Sequence, residues 1–247
     1  PLSRDLAEWY HAVGFELLEG YGLTETSACA TLDRPGRGKL GTVGLPLDGV
    51  EIRIADDGEI LIRGPNLMSG YHRPAANQPS AFDDEGWLHS GDIGELDSDG
   101  YLCITDRKKD VLLTGGGKAV APQNVESHLQ ANAYINSAMV YGDGRPYLTA
   151  LLELDEPAIK RFCAERDIAY TSYGEISQHP AIYRLIERIV EERNRSLASY
   201  ETIKKFAILE RALTVEDGDL TPTLKLRRQA LTHKYMRLLD SFYEDGF

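Results

Sequence analysis

The stretch GWLHSGDIGELDSDGYLCITDRKKD, residues 86–110, contains both the pattern that predicts the fold of the first half of the chain and the point where that pattern ends. Its tetrapeptide DSDG, residues 97–100, precedes the apolar run YLCI and is typical of a hairpin turn with glycine where a positive φ is needed. The segment VEIRIADDGEILIRG, residues 50–64, has the same arrangement. We therefore predict a small twisted sheet or barrel-like unit built from hairpins.

After residue 106 the pattern changes to a mixture of helices and strands. Two apolar strand patterns, SAMVYG and PYLTALLEL, flank the turn GDGRP, and a third, KKFAILE, follows later. Apolar residues at helical spacing predict an N-terminal helix over 4–18, helices at about 122–132, 155–167 and 180–198, and one last helix containing Leu231, Tyr235, Leu238 and Phe242. We predict an α+β fold with two domains, 1–106 and 107–247.

The composition limits the class of partner. The chain has 247 residues and a formal net charge of −12, so we expect no nucleic-acid partner and at most peripheral membrane association. Three cysteines without CxxC spacing, and the lack of an apolar run of about 18 residues, favour a reducing, cytoplasmic setting. Because Pro1 leads directly into an amphipathic pattern, we expect a C-terminal piece of a longer protein.

The stretch EGYGLTETS, residues 19–27, has the residue types of a nucleotide site. Tyr21 offers a flat face to a purine, and Gly22 lets the backbone approach closely. Thr24 offers a hydroxyl to a phosphate, and Glu25 offers an oxygen ligand to Mg²⁺. An ordinary polar loop is the alternative, since short motifs often match by chance.

Asp92 follows a glycine and precedes a hydrophobic hairpin. From such a position a carboxylate can accept two hydrogen bonds from a ribose diol. A turn-capping aspartate is the commoner interpretation of a single Asp. We assign the nearby His89 no role, because no second metal ligand stands at a suitable spacing.

The stretch ITDRKKDVLLTGGGKAVAPQNVE, residues 104–126, places a charge cluster before a run of glycines. The sequence Arg107, Lys108, Lys109 is usually a solvated turn. The TGGGK segment that follows joins an apolar strand to a helix that starts at a proline, so a loop that changes shape is the alternative. It lacks the spacing of a Walker motif, and we do not interpret it as a phosphate-binding loop.

The last stretch with candidate chemistry is DGDLTPTLKLRRQALTHKY, residues 217–235. Its simplest interpretation is a Thr-Pro turn that opens a basic helix with Lys225, Arg227 and Arg228 exposed. Cations in a first turn oppose the helix dipole, however, which favours an anionic partner for Lys225. A lysine is a mobile point charge that can meet a carboxylate and a phosphate together.

Taken in order, these stretches resemble the successive motifs of the adenylate-forming enzymes, which include acyl-CoA synthetases, firefly luciferase and peptide synthetase adenylation domains. The resemblance spans residues 19–228, and the segments GGGKAVAP and TPTLKLRR are most similar to those of long-chain fatty acid–CoA ligases. It implies the β-rich end of a large N-terminal domain followed by a complete small C-terminal domain. It also implies a two-step reaction in which a fatty acid and ATP give acyl-AMP, and CoA then gives acyl-CoA.

The resemblance also implies roles for residues. Tyr21 would stack on adenine and Gly22 would belong to the same nucleotide loop, while Thr24 would contact phosphate and Glu25 would help to hold Mg²⁺. The ribose would be bound by Asp92 and Arg107. Lys225 would be the catalytic lysine of the first step, and Lys109 the hinge of the small domain. The loop for the CoA step would comprise Gly115, Gly116, Gly117 and Lys118.

The implied substrates and cofactors are the fatty acid, ATP, Mg²⁺ and CoA, with no tightly bound organic cofactor. The family's phosphate loop, similar to TSGTTGxPKG, does not occur in these residues. We therefore expect the missing N-terminal part of the large domain to be a partner for activity. Two alternatives stay open: a ligase for an aryl or medium-chain acid, and a non-catalytic fragment that binds nucleotide or docks onto another chain.

Overall fold

The structure is a computed structural model, and it describes residues 4–73 and 80–244. The chain divides into two compact units, Pro1–Asp110 and Val111–Phe247. The boundary predicted after residue 106 falls inside a strand that ends at Arg107, so the first unit includes the whole strand and the three residues that follow it.

The first unit begins with a helix, α1 (Arg4–Ala12), which is shorter than the predicted 4–18. Gly14 has a φ of +91°, and the backbone N–H of Phe15 donates to the carbonyl of Tyr10 at 2.9 Å. This is a glycine-dependent helix end, which a residue with a side chain would adopt only with strain. The apolar spacing continues beyond the glycine, and for this reason the sequence prediction extended too far.

Two antiparallel sheets follow in the first unit. The smaller sheet contains β1 (Gly20–Tyr21), β2 (Thr31–Leu32) and β3 (Leu45–Pro46) in that order. The larger contains β4 (Glu51–Ile54), β5 (Glu59–Arg63), β6 (Leu88–Leu96) and β7 (Leu102–Arg107), also in chain order. The glycines of the two predicted turns, Gly58 and Gly100, both have a φ of +85°, which confirms the turn predictions.

The core of the first unit lies on one face of the larger sheet. Its fully buried side chains include Ile60, Ile62, Leu88 and Leu102. These residues come from three neighbouring strands, so their burial fixes the strand register. That register sets Asp92 of β6 opposite Arg107 of β7.

The second unit starts with a small hairpin and then builds one three-stranded sheet between helices. Its strands are β8 (Leu112–Leu113), β9 (Ala119–Val120), β10 (Ile135–Tyr141), β11 (Leu148–Leu154) and β12 (Ile203–Ile208). Its helices are α2 (Pro122–Gln130), α3 (Glu156–Ala164), α4 (Tyr173–Gln178), α5 (Pro180–Asn194), α6 (Arg228–Lys234) and α7 (Met236–Glu244). The central strand β11 is antiparallel to β10 and parallel to β12.

Both faces of the second unit's sheet are covered. Every residue of β11 is buried, as expected for a central strand between two layers. Leu152 belongs to the core cluster that includes residues of α2, α3 and α5, whereas Leu151 belongs to the cluster that includes Leu231 of α6 and Leu239 of α7. The alternation along one strand therefore builds two hydrophobic layers.

The structure confirms the α+β fold class and corrects two details. The single last helix is two helices, α6 and α7, which meet at Tyr235. The six-residue helix α4 was not predicted; Ser172 caps it by accepting a hydrogen bond from the N–H of Glu175. Among residues 4–73 and 80–244, every helix is too short or too polar to cross a membrane.

Candidate functional site

One polar pocket of about 450 Å³ in the first unit is lined by three segments that are far apart in sequence. Residues 22–25 follow β1, residues 90–92 belong to β6, and Arg107 and Lys109 lie at and just after the end of β7. Thr24 and Glu25 were predicted from one stretch, Asp92 from another and Arg107 from the family resemblance, and the fold brings the four together. The pocket presents two carboxylates and two cations.

The loop after β1 can fold as it does only because residue 22 is a glycine. A Cβ on Gly22 would lie 2.0 Å from the carbonyl oxygen of Ala28, because the loop folds back across its own start. The turn contains a short 3₁₀ helix, Thr24–Thr26, in which the N–H of Leu23 donates to Thr26 Oγ1 at 2.8 Å. The close approach that Gly22 permits is therefore to this chain's own backbone, and the result is that Thr24 is exposed at the pocket.

Tyr21 holds the carboxylate of Asp92. Its hydroxyl donates to Asp92 Oδ2 at 2.6 Å, and both residues are buried. Arg107 Nε lies 3.6 Å from Asp92 Oδ1, the other oxygen. Burial, and next the hydrogen bond to Asp92, raise the pKa of Tyr21, so the hydroxyl stays a neutral donor. The carboxylate thus keeps one oriented oxygen beside the cation.

The ring of Tyr21 belongs to the hydrophobic core cluster of the first unit. Its stacking on a purine stays a prediction. The hydrogen bond to Asp92 is a second role that the sequence pattern did not indicate.

Glu25 is the candidate magnesium ligand. Its carboxylate lies at the pocket, where Oε1 accepts a hydrogen bond from the hydroxyl of Tyr71 at 2.7 Å. Within the described ranges, no group of three His, Cys, Asp or Glu side chains could hold a metal ion. Mg²⁺ commonly takes one or two carboxylates and completes its shell with water and substrate phosphates. A single carboxylate at a polar pocket fits that pattern.

The buried carboxylate of Glu59 makes hydrogen bonds to two of the three stretches that form the pocket, the one at 90–92 and the one at 107–109. Its Oε2 accepts from Lys108 Nζ at 2.9 Å and lies 2.8 Å from His89 Nδ1, and its Oε1 accepts from the N–H of Gly91 at 2.9 Å. Burial opposes ionisation, but the hydrogen bonds from His89 and Lys108 outweigh it and lower the pKa of Glu59. One charged side chain therefore fixes residues adjacent to both Asp92 and Arg107.

The adjacent lysines 108 and 109 have different environments. Lys108 pairs with Asp57 at 2.6 Å as well as with Glu59. Lys109 lines the pocket, and among the described residues its ammonium has no ion-pair or hydrogen-bond partner. A cation without a partner beside a polar pocket is available to an anion. The hinge role of Lys109 stays a prediction.

In the second unit, the glycine-rich segment is the tight turn of the β8–β9 hairpin. The N–H of Thr114 donates to the carbonyl of Lys118 at 2.9 Å, and Gly117 has a φ of +73°. The N–H of Gly115 donates to the carbonyl of Arg145 at 2.7 Å, which attaches the turn to the β10–β11 connection. We expected three flexible residues between a strand and a helix, and the structure instead shows a hydrogen-bonded turn followed by a second short strand.

Lys225 lies at an exposed loop tip before α6, so the prediction that it opens a helix is wrong. The dipole argument for its anionic partner no longer applies, because the helix begins at Arg228. Leu224 beside it has a φ of +59° and is 71% exposed. In the part of the chain that the structure describes, the Lys225 ammonium has no ion-pair or hydrogen-bond partner. Its catalytic role stays a prediction.

Two family models match the chain. The AMP-binding enzyme model covers residues 1–72, and the AMP-binding enzyme C-terminal domain model covers residues 109–246, more than half of the chain. The chain belongs to the AMP-binding enzymes. The resemblance inferred from the motifs is thereby confirmed.

Relatives of this AMP-binding enzyme include long-chain fatty acid–CoA ligases. It is 38% identical over 244 residues to the long-chain-fatty-acid–CoA ligase FadD15 of Mycobacterium bovis, covering 98% of this chain and 40% of that protein. It is 32% identical over 269 residues to the long-chain-fatty-acid–CoA ligase ACSBG1 of Homo sapiens, covering 99% of this chain and 37% of that protein. The chain therefore spans about 40% of the length of the curated relatives it matches.

A solved structure supports the fold of this AMP-binding enzyme. The O-succinylbenzoate coenzyme A synthetase of Bacillus subtilis in complex with AMP matches with a TM-score of 0.68 and 30% identity, covering 94% of this chain and 44% of that chain. The same enzyme in complex with ATP and magnesium ion matches with a TM-score of 0.70 and 28% identity, with the same coverage.

Some supporting residues of the AMP-binding enzyme were missed from the sequence. Glu59 lies in the apolar strand pattern EILIR, and a carboxylate in such a strand was the available signal, since buried charges are paired. Arg228, interpreted as exposed, is 22% exposed, and its two terminal nitrogens contact the two oxygens of Glu126 at 2.8 and 2.9 Å. No local pattern connects residues 102 positions apart.

Proposed function

We propose that this chain is the C-terminal part of a long-chain fatty acid–CoA ligase. In the first step a fatty acid carboxylate oxygen would attack the α-phosphorus of ATP, and pyrophosphate would leave. In the second step the CoA sulfur would attack the acyl carbon, and AMP would leave. The observation that carries the proposal is the pocket that gathers Thr24, Glu25, Asp92 and Arg107, in a chain whose relatives are named as ligases.

The ribose would be bound at Asp92. Tyr21 fixes one carboxylate oxygen, and the other lies beside Arg107, so the pair can accept from a diol and donate to the sugar oxygens. Because the carboxylate is oriented before the ligand arrives, little conformational entropy is lost on binding.

The phosphates would be bound by Thr24, which is exposed at the pocket. Glu25 would supply one oxygen to Mg²⁺, which neutralises phosphate charge when bound. The hydroxyl of Tyr71 orients that carboxylate.

In the second unit, the exposed Lys225 would stabilise the charge that builds up between the carboxylate and the α-phosphate. Lys109 would be the hinge between the two half-reactions, and the Gly115–Gly117 turn with Lys118 would serve the CoA step. Lys225→Ala should abolish acyl-AMP formation, and Lys109→Pro should impair the CoA step more than pyrophosphate exchange. Equal loss of both half-reactions in Lys109→Pro would contradict the hinge role.

The acid substrate that is named differs among the relatives. The curated relatives are named for long-chain fatty acids, whereas the solved enzyme is named for O-succinylbenzoate. A panel of long-chain, medium-chain and aryl acids, assayed with the chain completed by its N-terminal part, would decide between the two acid classes. A cytoplasmic location with at most peripheral membrane contact belongs to the same proposal and can be tested by cell fractionation.

The direct test is acyl-CoA formation from palmitate, ATP, Mg²⁺ and CoA. We expect no product from the chain alone and product when the N-terminal part is supplied. Product from the chain alone would contradict the requirement for the missing phosphate loop. If neither sample is active, equilibrium dialysis with ATP and AMP would identify a nucleotide-binding fragment.

A matched pair of variants tests the pocket itself. Asp92→Asn should weaken AMP binding at least tenfold, since it removes the charge beside Arg107. Asp99→Asn changes a carboxylate that is 64% exposed and pairs with Lys39, and it should leave AMP binding unchanged. Equal affinities in the two variants would remove Asp92 from the site.

A further inference from the structure

The loop that carries Lys225 has a closed stem. At its base the N–H of Arg227 donates to the carbonyl of Asp219 at 2.8 Å. One step further, Leu220 and Leu226 form an antiparallel bridge. At the tip the N–H of Thr221 donates to the carbonyl of Lys225 at 2.8 Å. The stem therefore sets the position of the tip.

The stem is fixed to the rest of the second unit by the carboxylate of Asp219. This side chain is 2% exposed; its Oδ2 accepts from Arg211 Nη2 at 2.7 Å, and its Oδ1 accepts from Lys234 Nζ at 2.8 Å. Arg211 follows β12, and Lys234 is the last residue of α6. Burial alone would raise the pKa of Asp219, but the two cations lower it, so the carboxylate is charged at neutral pH.

We propose that Asp219 is a positioning residue for Lys225, holding the loop stem between β12 and α6 so that the lysine meets the reacting carboxylate and phosphate. The inference rests on the proposed function, because it takes Lys225 as the catalytic lysine. A displacement of about 1 Å at a reacting group can lower a rate about 100-fold. Lys225 has no partner of its own among the described residues, so its placement depends on the backbone beneath it.

Asp217 provides a matched control. It pairs with the same Arg211 at 2.5 Å, but its side chain is 52% exposed. It also forms hydrogen bonds with the hydroxyl of Thr214, whose carbonyl accepts from the N–H groups of Asp219 and Leu220. Water can replace its interactions, whereas it cannot reach the carboxylate of Asp219. Both aspartates therefore share a partner and a change of charge, and they differ in burial and in that only Asp219 belongs to the stem itself, where its carbonyl accepts from the N–H of Arg227.

The first arm of the test uses the chain as it is. Amide hydrogen exchange would be measured in Asp219→Asn and Asp217→Asn. The N–H groups of Thr221, Lys225 and Arg227 should exchange at least tenfold faster in the first variant and at the original rate in the second. Unchanged exchange in Asp219→Asn would overturn the inference. If that variant does not fold, Lys234→Gln, which removes one partner that is 37% exposed, replaces it with the same expectation.

The second arm measures the two half-reactions in the chain completed by its N-terminal part, with Lys225→Ala alongside. Asp219→Asn should slow acyl-AMP formation at least tenfold and leave CoA attack on supplied acyl-AMP within twofold. Loss of both half-reactions, or of neither, would overturn the inference, because positioning of Lys225 predicts a selective loss of acyl-AMP formation. If Lys225→Ala leaves acyl-AMP formation unchanged, the lysine's role in the proposed function fails, and this inference fails with it. If Lys225→Ala abolishes acyl-AMP formation and Asp219→Asn leaves it unchanged, the inference alone fails.

Discussion

Removing the hydroxyl of Tyr21 would separate the two roles that this side chain can have in nucleotide binding. Tyr21→Phe keeps the ring, and with it the core packing and any stacking on a purine. It deletes the donor that holds Asp92 Oδ2 at 2.6 Å. If orientation of the carboxylate matters, the variant should bind ribose less well even though the ring is intact.

The magnitude follows from the burial of the pair. Tyr21 is 8% exposed and Asp92 7% exposed, so water does not readily replace the lost donor. A hydrogen bond to a charged group contributes about 1.5–3 kcal/mol, and this is the expected loss in the free energy of unfolding of the first unit. If about half of the upper value appears in ligand binding, AMP affinity falls about tenfold.

The assay compares AMP with 2′,3′-dideoxy-AMP, which lacks the diol. Tyr21→Phe should weaken AMP about tenfold and leave the dideoxy analogue unchanged, measured by equilibrium dialysis. Tyr101→Phe is the control, because its hydroxyl makes a bond of the same 2.6 Å length to the carbonyl of Arg37, outside the residues that line the pocket. Equal weakening of both ligands would refute the orientation argument, and an unchanged AMP affinity would leave stacking as the only role for Tyr21.

Three further substitutions test the supports of the two units. Gly22→Ala should lower the free energy of unfolding in urea by about 1–3 kcal/mol, because its Cβ would meet backbone; an unchanged midpoint would contradict the loop path. Against the opposing effect of burial, the hydrogen bonds from His89 and Lys108 hold the pKa of Glu59 below the ordinary glutamate value, so its charge stabilises the first unit above that ordinary value and the gain is lost as the pH falls further. The stability deficit of Glu59→Gln, followed by thermal melts across pH, should therefore shrink on acidification, and a constant deficit would count against the charge. Glu126→Gln leaves Arg228 without its carboxylate and should cost on the order of 3 kcal/mol in thermal melts, whereas a loss below about 1 kcal/mol would show that water replaces the pair.

Features encoded by a few adjacent residues were predictable. The ADDG and DSDG turns were predicted because glycine at a positive φ is a local requirement. The apolar face of α5 was predicted from its spacing, and Ile182, Ile186 and Val190 are buried. Thr24, Glu25 and Asp92 were predicted by what each residue type can bind, and the role of Arg107 came from the family resemblance.

Features set by distant pairs were not predictable. The bond from Tyr21 to Asp92 joins residues 71 positions apart, and the bond from Lys108 to Glu59 joins residues 49 apart. Nothing in either local sequence indicates the partner. Lys225 was assigned to a helix because its neighbours suit one, and the cross-loop bonds at Thr221 determine the loop instead.

The balance of charge at the pocket has a consequence for the kinetics of nucleotide association. Arg107 and Lys109 attract an anion at contact distance, but Glu25 and Asp92 cancel their charge from afar, and the chain as a whole carries −12. The net charge therefore repels a nucleotide that diffuses toward this chain, and at physiological ionic strength this repulsion is largely screened beyond about 8 Å. Salt weakens the distant repulsion more than the contact attraction, so added salt speeds the encounter with this acidic chain, the reverse of its effect on a protein that steers its anionic ligand with a basic surface.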